Sequence, residues 1–131
     1  MSEQTAAALE QETRHFLELL DSLDMGGLAA MFTDDAQGVD EISRGWTRGR
    51  AALEAYLAQL EGTVTDVRSR LTDFHAITWG DIGLVTFVLD QTYSMNEQEQ
   101  RLSAPTSLLF HRQGDSWKVA LIHSVPIGDP T

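Results

Sequence analysis

"IGLVTFVLDQTYS", residues 82–94, decides the fold of this chain, because apolar side chains occupy both of its alternating faces. Successive side chains of a β-strand point to opposite sides of the sheet. Leu84 and Val88 would therefore lie on one side, and Val85 and Phe87 on the other. A strand that is apolar on both sides is covered on both sides. We predict that this stretch is a strand covered on both faces, with one face lining the interior of the domain.

Further strands are predicted on either side of it in the chain. Residues from 64 onward are rich in β-branched and aromatic types with period-two alternation, interrupted at 80–81, 94–100 and 113–115. The pattern predicts strands at 64–79, 82–94, 101–112 and 116–125, joined as an antiparallel meander. The segment QGVDEI, residues 37–42, reads as a short earlier strand, and residues 128–131 read as a frayed tail.

Three helices are predicted before the meander. The first runs from about residue 5 to 22, the second from Asp24 to near Thr33, and the third from Gly49 to Gly62. Asp34 and Asp35 are interpreted as a turn that closes the second helix. The apolar face of the first helix repeats at steps of three and four and comprises Leu9, Thr13, Phe16, Leu20 and Leu23.

Helices followed by strands predict an α+β fold in a single domain spanning residues 1–131. Strands of ten or more residues favour a strongly curved sheet. We expect a cone-shaped, mainly antiparallel (mixed) sheet wrapped around the long N-terminal helix. The open end of such a cone is a pocket for a small molecule.

Composition narrows the class of partner. The 131 residues include 9 basic and 20 acidic ones, and a net charge of −11 repels nucleic acid and anionic membranes. Cysteine is absent, which excludes disulfides and thiolate metal sites. No signal peptide or membrane-spanning run is evident, so we expect a cytoplasmic protein that binds neither nucleic acid nor membranes.

Three segments carry a family resemblance: GGLAAMFTDDA at 26–36, GRAALEAYL at 49–57 and WKVALIHSVP at 117–126. With the order of elements, they resemble the SnoaL-like proteins of the nuclear transport factor 2-like (NTF2-like) superfamily. The resemblance implies a homodimer formed through the open sheet face. It also implies a small-molecule ligand and chemistry without a cofactor. Members include isomerases, cyclases and dehydratases as well as non-catalytic binding or assembly domains.

Within that superfamily, ketosteroid isomerase gives the sharpest comparison. Its catalytic aspartate falls on Asp40, and an aromatic pocket wall falls on Tyr56. Its two oxyanion donors fall on Phe16 and near Ser107, neither of which reproduces the original donor. Loss of even one such donor lowers the rate by about 10²–10³-fold. We therefore expect the position of the base to be kept without steroid isomerase activity.

The same comparison places the even-numbered side chains of 82–94 inside the cone. Asp90 would then point into the cavity, where Asp40 and Asp90 could divide the acid and base roles. Two alternatives stay open: Asp40 is an exposed carboxylate paired with Arg44 or Arg48, or Asp90 reaches water at the end of its strand. Ser124 is also expected inside, and His123 on the opposite face.

Other candidates carry less specific signals. Trp46 lies in an irregular segment near the predicted mouth and could stack on a flat ligand, as could Tyr56, although packing also explains Tyr56. Glu12 and His15 form one Glu-x-x-His step, which an exposed helix face explains, so no metal site is predicted. Whether His75 and His123 face the pocket or the dimer interface stays open, with the face opposite Ser124 favoured for His123.

Two functions are consistent with these patterns. The first is small-molecule binding with carboxylate acid–base chemistry by Asp40 and Asp90, in an isomerase, cyclase or dehydratase. Its ligand-binding residues would be Phe16, Trp46, Tyr56, Ser107 and Ser124. The second is a non-catalytic binding, dimerisation or assembly module whose cavity is filled by its own side chains.

Overall fold

A computed structural model describes residues 2–127 of the chain. The predicted tail at 128–131 lies outside the described residues. The helices are α1 (Glu3–Asp21), α2 (Met25–Ala30) and α3 (Arg50–Glu61). The strands are β1 (Phe32–Asp40), β2 (Thr47–Arg48), β3 (Val64–Trp79), β4 (Ile82–Met95), β5 (Gln98–Gln113) and β6 (Ser116–Ser124).

The six strands form one curved, open, mixed sheet in the order β2-β1-β6-β5-β4-β3. Neighbouring strands pair antiparallel, except that β1 runs parallel to β6. The predicted meander of β3 to β6 is confirmed, and so is the α+β class. The parallel β1–β6 pair brings the first half of the chain against its last strand.

Helix α1 covers one face of the sheet, which we call the inner face. Of the predicted apolar face, Leu9, Thr13 and Phe16 are buried, and Leu17, which the prediction did not include, is buried as well. The helix comes close to β4 at one point, where a Cβ added at Gly83 would lie 3.1 Å from Leu9 Cδ1. Gly83 therefore marks the place where the helix crosses the strand.

Burial along β4 shows which side chains face inward. The odd-numbered Val85, Phe87 and Leu89 are buried on the inner face, whereas the even-numbered Thr86 and Val88 are only half-buried on the opposite, outer face. The prediction that the even-numbered positions of 82–94 line the cone is therefore wrong. Alternation itself is confirmed, but the interior takes the face that carries fewer polar residues.

The acidic stretch after α2 also differs from its prediction. The second helix ends at Ala30, and Asp34 and Asp35 lie within β1 rather than in a turn. Pairing with β6 extends the strand to Phe32, and an irregularity in register between Phe32 and Gln37 leaves both aspartates exposed. Tertiary pairing here outweighs the local turn preference of aspartate.

Candidate functional site

Two small cavities lie between the inner face of the sheet and the helices. They share the wall residues Phe16, Leu20, Asp40 and Ile122. The β5 lobe is also lined by strand β5, and the α3 lobe by helix α3; each has a volume of about 60 Å³. Most wall residues of both lobes are apolar, and no Lys, Arg or His is among them. The space is therefore a narrow, apolar interior with a carboxylate between its two halves.

Asp40 ends β1 and lines both lobes, and three donors hold its carboxylate. Oδ1 accepts hydrogen bonds from the backbone N–H of Ile42 at 2.9 Å and of Ser43 at 2.8 Å. The Tyr56 hydroxyl lies 2.7 Å from Oδ1 and 2.8 Å from Oδ2. Oδ1 is thus shared among three donors, whereas Oδ2 keeps spare capacity to accept a proton or a hydrogen bond.

The alternative in which Asp40 pairs with an arginine is not observed. Within the part of the chain that the structure describes, no Arg or Lys lies within ion-pair distance of Asp40. Its bonds to the N–H groups two and three residues ahead are those of an aspartate that stabilises a turn. The bond from Tyr56, which lies on α3, links that turn to the cavity wall.

Glu41 and Tyr93 form a second carboxylate–tyrosine pair beside the first. Tyr93 is buried on β4 and donates its hydroxyl hydrogen to Glu41 Oε1. Burial is the main cause that raises the pKa of Tyr56 well above its ordinary value, and the negative charge of the adjacent Asp40 carboxylate is the second. The pKa of Tyr93 is also raised, mainly by burial and secondly by the hydrogen bond to Glu41. Both tyrosines therefore stay protonated and act as hydrogen-bond donors in the physiological range.

These raised pKa values predict an alkaline loss of stability. Near pH 10 the unfolded chain releases tyrosine protons that the folded chain keeps, so the free energy of unfolding falls as the pH rises. The expected slope is about 1.4 kcal/mol per pH unit for each tyrosine, and the chain has only two. Urea denaturation between pH 8 and 11 measures it. Equal slopes for wild type and a Tyr56→Phe/Tyr93→Phe variant would contradict the assignment.

Two more predicted site residues lie on the inner face. Phe16 is 3% exposed and lines both lobes, with its ring edge-on to Phe32 at a centroid distance of 5.8 Å. Ser124 is buried and lines the β5 lobe. Phe16, Tyr56, Asp40 and Ser124 are thus brought together, as the comparison with ketosteroid isomerase implies.

Asp90 and Ser107 are not part of this group. Asp90 faces the outer side of the sheet, in an open groove of about 550 Å³ that Arg68, Arg70 and Arg101 also line. Ser107 lines a different outer groove, and its neighbour Thr106 takes the inward position. The prediction that Asp90 enters the cavity is wrong, because the odd-numbered and not the even-numbered side chains of β4 face inward. A one-residue error in aligning a strand is enough to exchange its two faces. The sheet separates Asp90 from Asp40, so the two carboxylates do not share one site.

Trp46, His75 and His123 also lie away from the cavity. Trp46 is 47% exposed and packs against the His123 ring at a centroid distance of 6.1 Å, with the Arg48 guanidinium 5.6 Å from its own ring. His123 lies on the outer face, as predicted. His75 is exposed there too, 3.3 Å from Asp73. The prediction that Trp46 lines the mouth of the cavity is wrong, since neither lobe includes it.

Residues 2–127 contain no cluster of three or more His, Cys, Asp or Glu side chains that could hold a metal ion. None of the helices in this range has the length and apolar character needed to cross a membrane.

Thr106, Glu41 and Tyr93 are site residues that the sequence reasoning missed. The alternation of side chains in residues 101–112 would place Thr106 on the inner face, once that face of the sheet is assigned correctly. Glu41 and Tyr93 are 52 positions apart and carry no local pattern that pairs them.

Comparison with solved structures supports the fold. A suggested aromatic ring hydroxylase from Novosphingobium aromaticivorans is 14% identical, with a TM-score of 0.89 over 98% of this chain and 93% of that one. A suggested dehydratase of the NTF2-like family from Streptomyces avermitilis is 18% identical, with a TM-score of 0.89 and coverages of 97% and 99%. A ketosteroid isomerase-like protein from Erwinia carotovora atroseptica is 17% identical, with a TM-score of 0.83 and coverages of 98% and 100%.

Identities this low show the fold and not the activity. No curated protein matches the chain. The family model described as "SnoaL-like domain" matches residues 9–128, which is nearly the whole sequence. The resemblance drawn from the three segments is thereby confirmed. The chain belongs to the SnoaL-like domain family, within the NTF2-like superfamily.

Proposed function

We propose that the chain binds a small, neutral, largely apolar molecule between the two lobes and that Asp40 moves a proton on it. The reaction would be an isomerisation, cyclisation or dehydration that needs no cofactor. The observation that carries the proposal is the Asp40 carboxylate, which lines both lobes and is fixed by Tyr56 and two backbone N–H groups. Oδ2 is the atom that would accept the proton.

The residues that line the two lobes indicate the charge and the size of the ligand. A carboxylate- or phosphate-bearing ligand would meet Asp40 and Glu41 without any cationic partner in either lobe. A neutral molecule avoids this repulsion. Rotation of the aliphatic side chains of Leu20 and Ile122 in the shared wall would join two spaces of about 60 Å³ each. With the space that the rotated side chains vacate, the joined lobes approach the volume of about 150 Å³ that holds benzene, so a single six-membered ring is the largest ligand they suit.

Binding of a neutral ring ketone tests the proposal. Cyclohexanone is expected to raise the melting temperature of the protein, and cyclohexanecarboxylate at equal concentration and ionic strength is not. At about 100 times the dissociation constant, a ligand specific to the folded state adds about 2.7 kcal/mol of stability. Differential scanning fluorimetry with ligand-observed NMR measures this. Failure of cyclohexanone to bind, or equal binding of the carboxylate, would contradict the proposal.

The alternative function is a non-catalytic assembly module. It is favoured by the volume of the lobes, since typical ligand sites have about 300 Å³ or more and each lobe has about 60 Å³. On this alternative the core side chains fill the cone permanently, and Asp40 only stabilises its turn. Cyclohexanone would then leave the melting temperature unchanged.

We also propose that the outer face forms a homodimer interface. Its apolar side chains include Ile77 and Trp79, which are 47% and 57% exposed, and the half-buried Leu84, Val88 and Leu109. Light scattering is expected to give about 29 kDa, twice the chain mass of 14.5 kDa. Val88→Arg is expected to give the monomer mass, and Ala55→Arg on the exposed side of α3 to leave the dimer intact. A monomeric wild type at micromolar concentration would overturn the interface.

A further inference from the structure

A row of polar side chains crosses the inner face beside Asp40. Asp40 on β1 is the register partner of Ser124 on β6, and Ser124 is the register partner of Thr106 on β5. All three line the β5 lobe. Neighbouring strands are about 4.8 Å apart, so the Asp40 carboxylate and the Ser124 hydroxyl are adjacent groups on one surface. Phe87 on β4 continues the row as its apolar end.

The two hydroxyls form a buried pair. Ser124 is 7% exposed and Thr106 is 3% exposed, and their oxygens are 2.8 Å apart. The Thr106 hydroxyl can also donate to the carbonyl oxygen of Ala104 at 3.1 Å. When it does so, the Ser124 hydrogen points to Thr106. A ligand oxygen in the lobe can take that hydrogen in exchange, and replacing one hydrogen bond by another has little net cost.

Three other polar groups of the lobes are already engaged. The Tyr56 hydroxyl donates to Asp40, and the Gln91 amide donates to Ser69 Oγ at 3.0 Å. The Ser43 hydroxyl donates to the carbonyl oxygen of Gly45 at 3.1 Å. Ser124 therefore combines three properties: it is buried, it lies next to Asp40 and its hydrogen bond is exchangeable.

A base that removes a proton from carbon needs a donor for the charge that develops. Removal of a hydrogen from the carbon next to a carbonyl moves the electron pair into a new carbon–carbon double bond and the negative charge onto the carbonyl oxygen. A donor placed at that oxygen stabilises the transition state more than the ground state. In such a substrate the hydrogen that is removed and the carbonyl oxygen are bonded to neighbouring carbons. The base and the donor must therefore also be neighbours, as Asp40 and Ser124 are on adjacent strands.

We propose that Ser124 donates this hydrogen bond, that Thr106 positions the Ser124 hydroxyl, and that the substrate is a neutral carbonyl compound with a hydrogen on the adjacent carbon. The inference rests on the proposed function of Asp40 and specifies its substrate class. In the forward step the carbon–hydrogen bond breaks, the proton moves to Asp40 Oδ2 and an enolate forms against Ser124. Return of the proton from Asp40 to a different carbon completes an isomerisation. If the proton on Asp40 first exchanges with solvent, its return to carbon completes a hydrogen exchange, and no reactant other than water takes part.

Carbonyl-labelled ¹³C-cyclohexanone in D₂O tests the two roles separately. NMR follows the carbonyl shift of the bound ketone, which moves downfield when its oxygen accepts a hydrogen bond, and the rate of deuterium uptake at the adjacent carbons. Ser124→Ala is expected to abolish the downfield shift and to lower the uptake rate by about 10²–10³-fold. Asp40→Asn is expected to keep the shift. Thr106→Ser should retain both signals, whereas Thr106→Val should weaken both.

The outcomes distinguish this inference from the function on which it rests. An unchanged carbonyl shift and rate in Ser124→Ala, with uptake still dependent on Asp40, would overturn the role of Ser124 and leave the proposed function standing. No uptake by wild type would overturn both. If Ser124→Ala fails to fold, Ser124→Cys is used, because a thiol of similar size is a weak donor. A normal carbonyl shift in that variant would also overturn the role of Ser124.

Discussion

Replacement of Asp40 by asparagine is expected to lower the rate of deuterium uptake by cyclohexanone about 10²–10⁴-fold, the usual contribution of a positioned general base. Asparagine keeps the side-chain oxygen that accepts from the N–H groups of Ile42 and Ser43. Tyr56 can then bond the amide instead of the carboxylate. The fold should therefore survive while the base is lost.

Asp35→Asn is the matched control for this substitution. Asp35 lies on the same strand, is exposed and accepts a hydrogen bond from the Thr33 hydroxyl at 2.8 Å, but it lines neither lobe. Its replacement should leave the uptake rate unchanged. If Asp40→Asn and wild type exchange equally fast, Asp40 is only a turn residue, and the assembly function becomes the better account.

Replacement of Phe16 by alanine is expected to lower the free energy of unfolding by about 3–5 kcal/mol, as for other buried phenylalanines. The ring lies in the wall that both lobes share, so its removal should also join them into one cavity. Such a cavity would bind cyclohexanone more tightly than the wild type does. The variant should therefore be less stable alone and show a larger ligand-induced rise in melting temperature.

Phe110→Ala separates the two effects of Phe16→Ala. Phe110 is fully buried but lines neither lobe. Its replacement should reduce stability by a similar amount without strengthening ketone binding. Urea denaturation and fluorimetry on both variants give the comparison. Equal gains in ligand stabilisation for the two variants would show that any core cavity binds the probe, and would remove Phe16 from the site.

The helices and the meander could be predicted because their periodic patterns are long. The apolar stripe of α1 and the alternation of β4 each extend over three or more repeats, so single misplaced residues do not obscure them. The position of Asp40 followed from the family resemblance, since the spacing from the preceding Asp-Asp-Ala is retained.

The faces of β4 were assigned wrongly although the sequence held the information. Thr86, Asp90 and Thr92 make the even-numbered face the more polar one, and Gly83 on the odd-numbered face leaves room for helix α1. Those residues favour the odd-numbered face as the interior. The alignment with ketosteroid isomerase placed the opposite face inside, because one residue of slip reverses every side chain.

Contacts between residues that are far apart in the sequence could not be predicted from the sequence. The bond from Tyr93 to Glu41, and the extension of β1 that turns Asp34 and Asp35 into strand residues, depend on which segments become neighbours. The strand or turn preference of a short segment contains no information about which distant segment will pair with it. The adjacency of Asp40, Ser124 and Thr106 likewise follows from the β1–β6–β5 order and from no motif within one segment.

A crystal structure of the protein with cyclohexanone tests whether Asp40 and Ser124 act on one ligand in the joined lobes. We expect density for the ring there, with the carbonyl oxygen within hydrogen-bond distance of Ser124 Oγ and an adjacent carbon facing Asp40 Oδ2. Density in the outer groove near Asp90 and Arg70, or lobes still filled by Leu20 and Ile122 at saturating ketone, would contradict it.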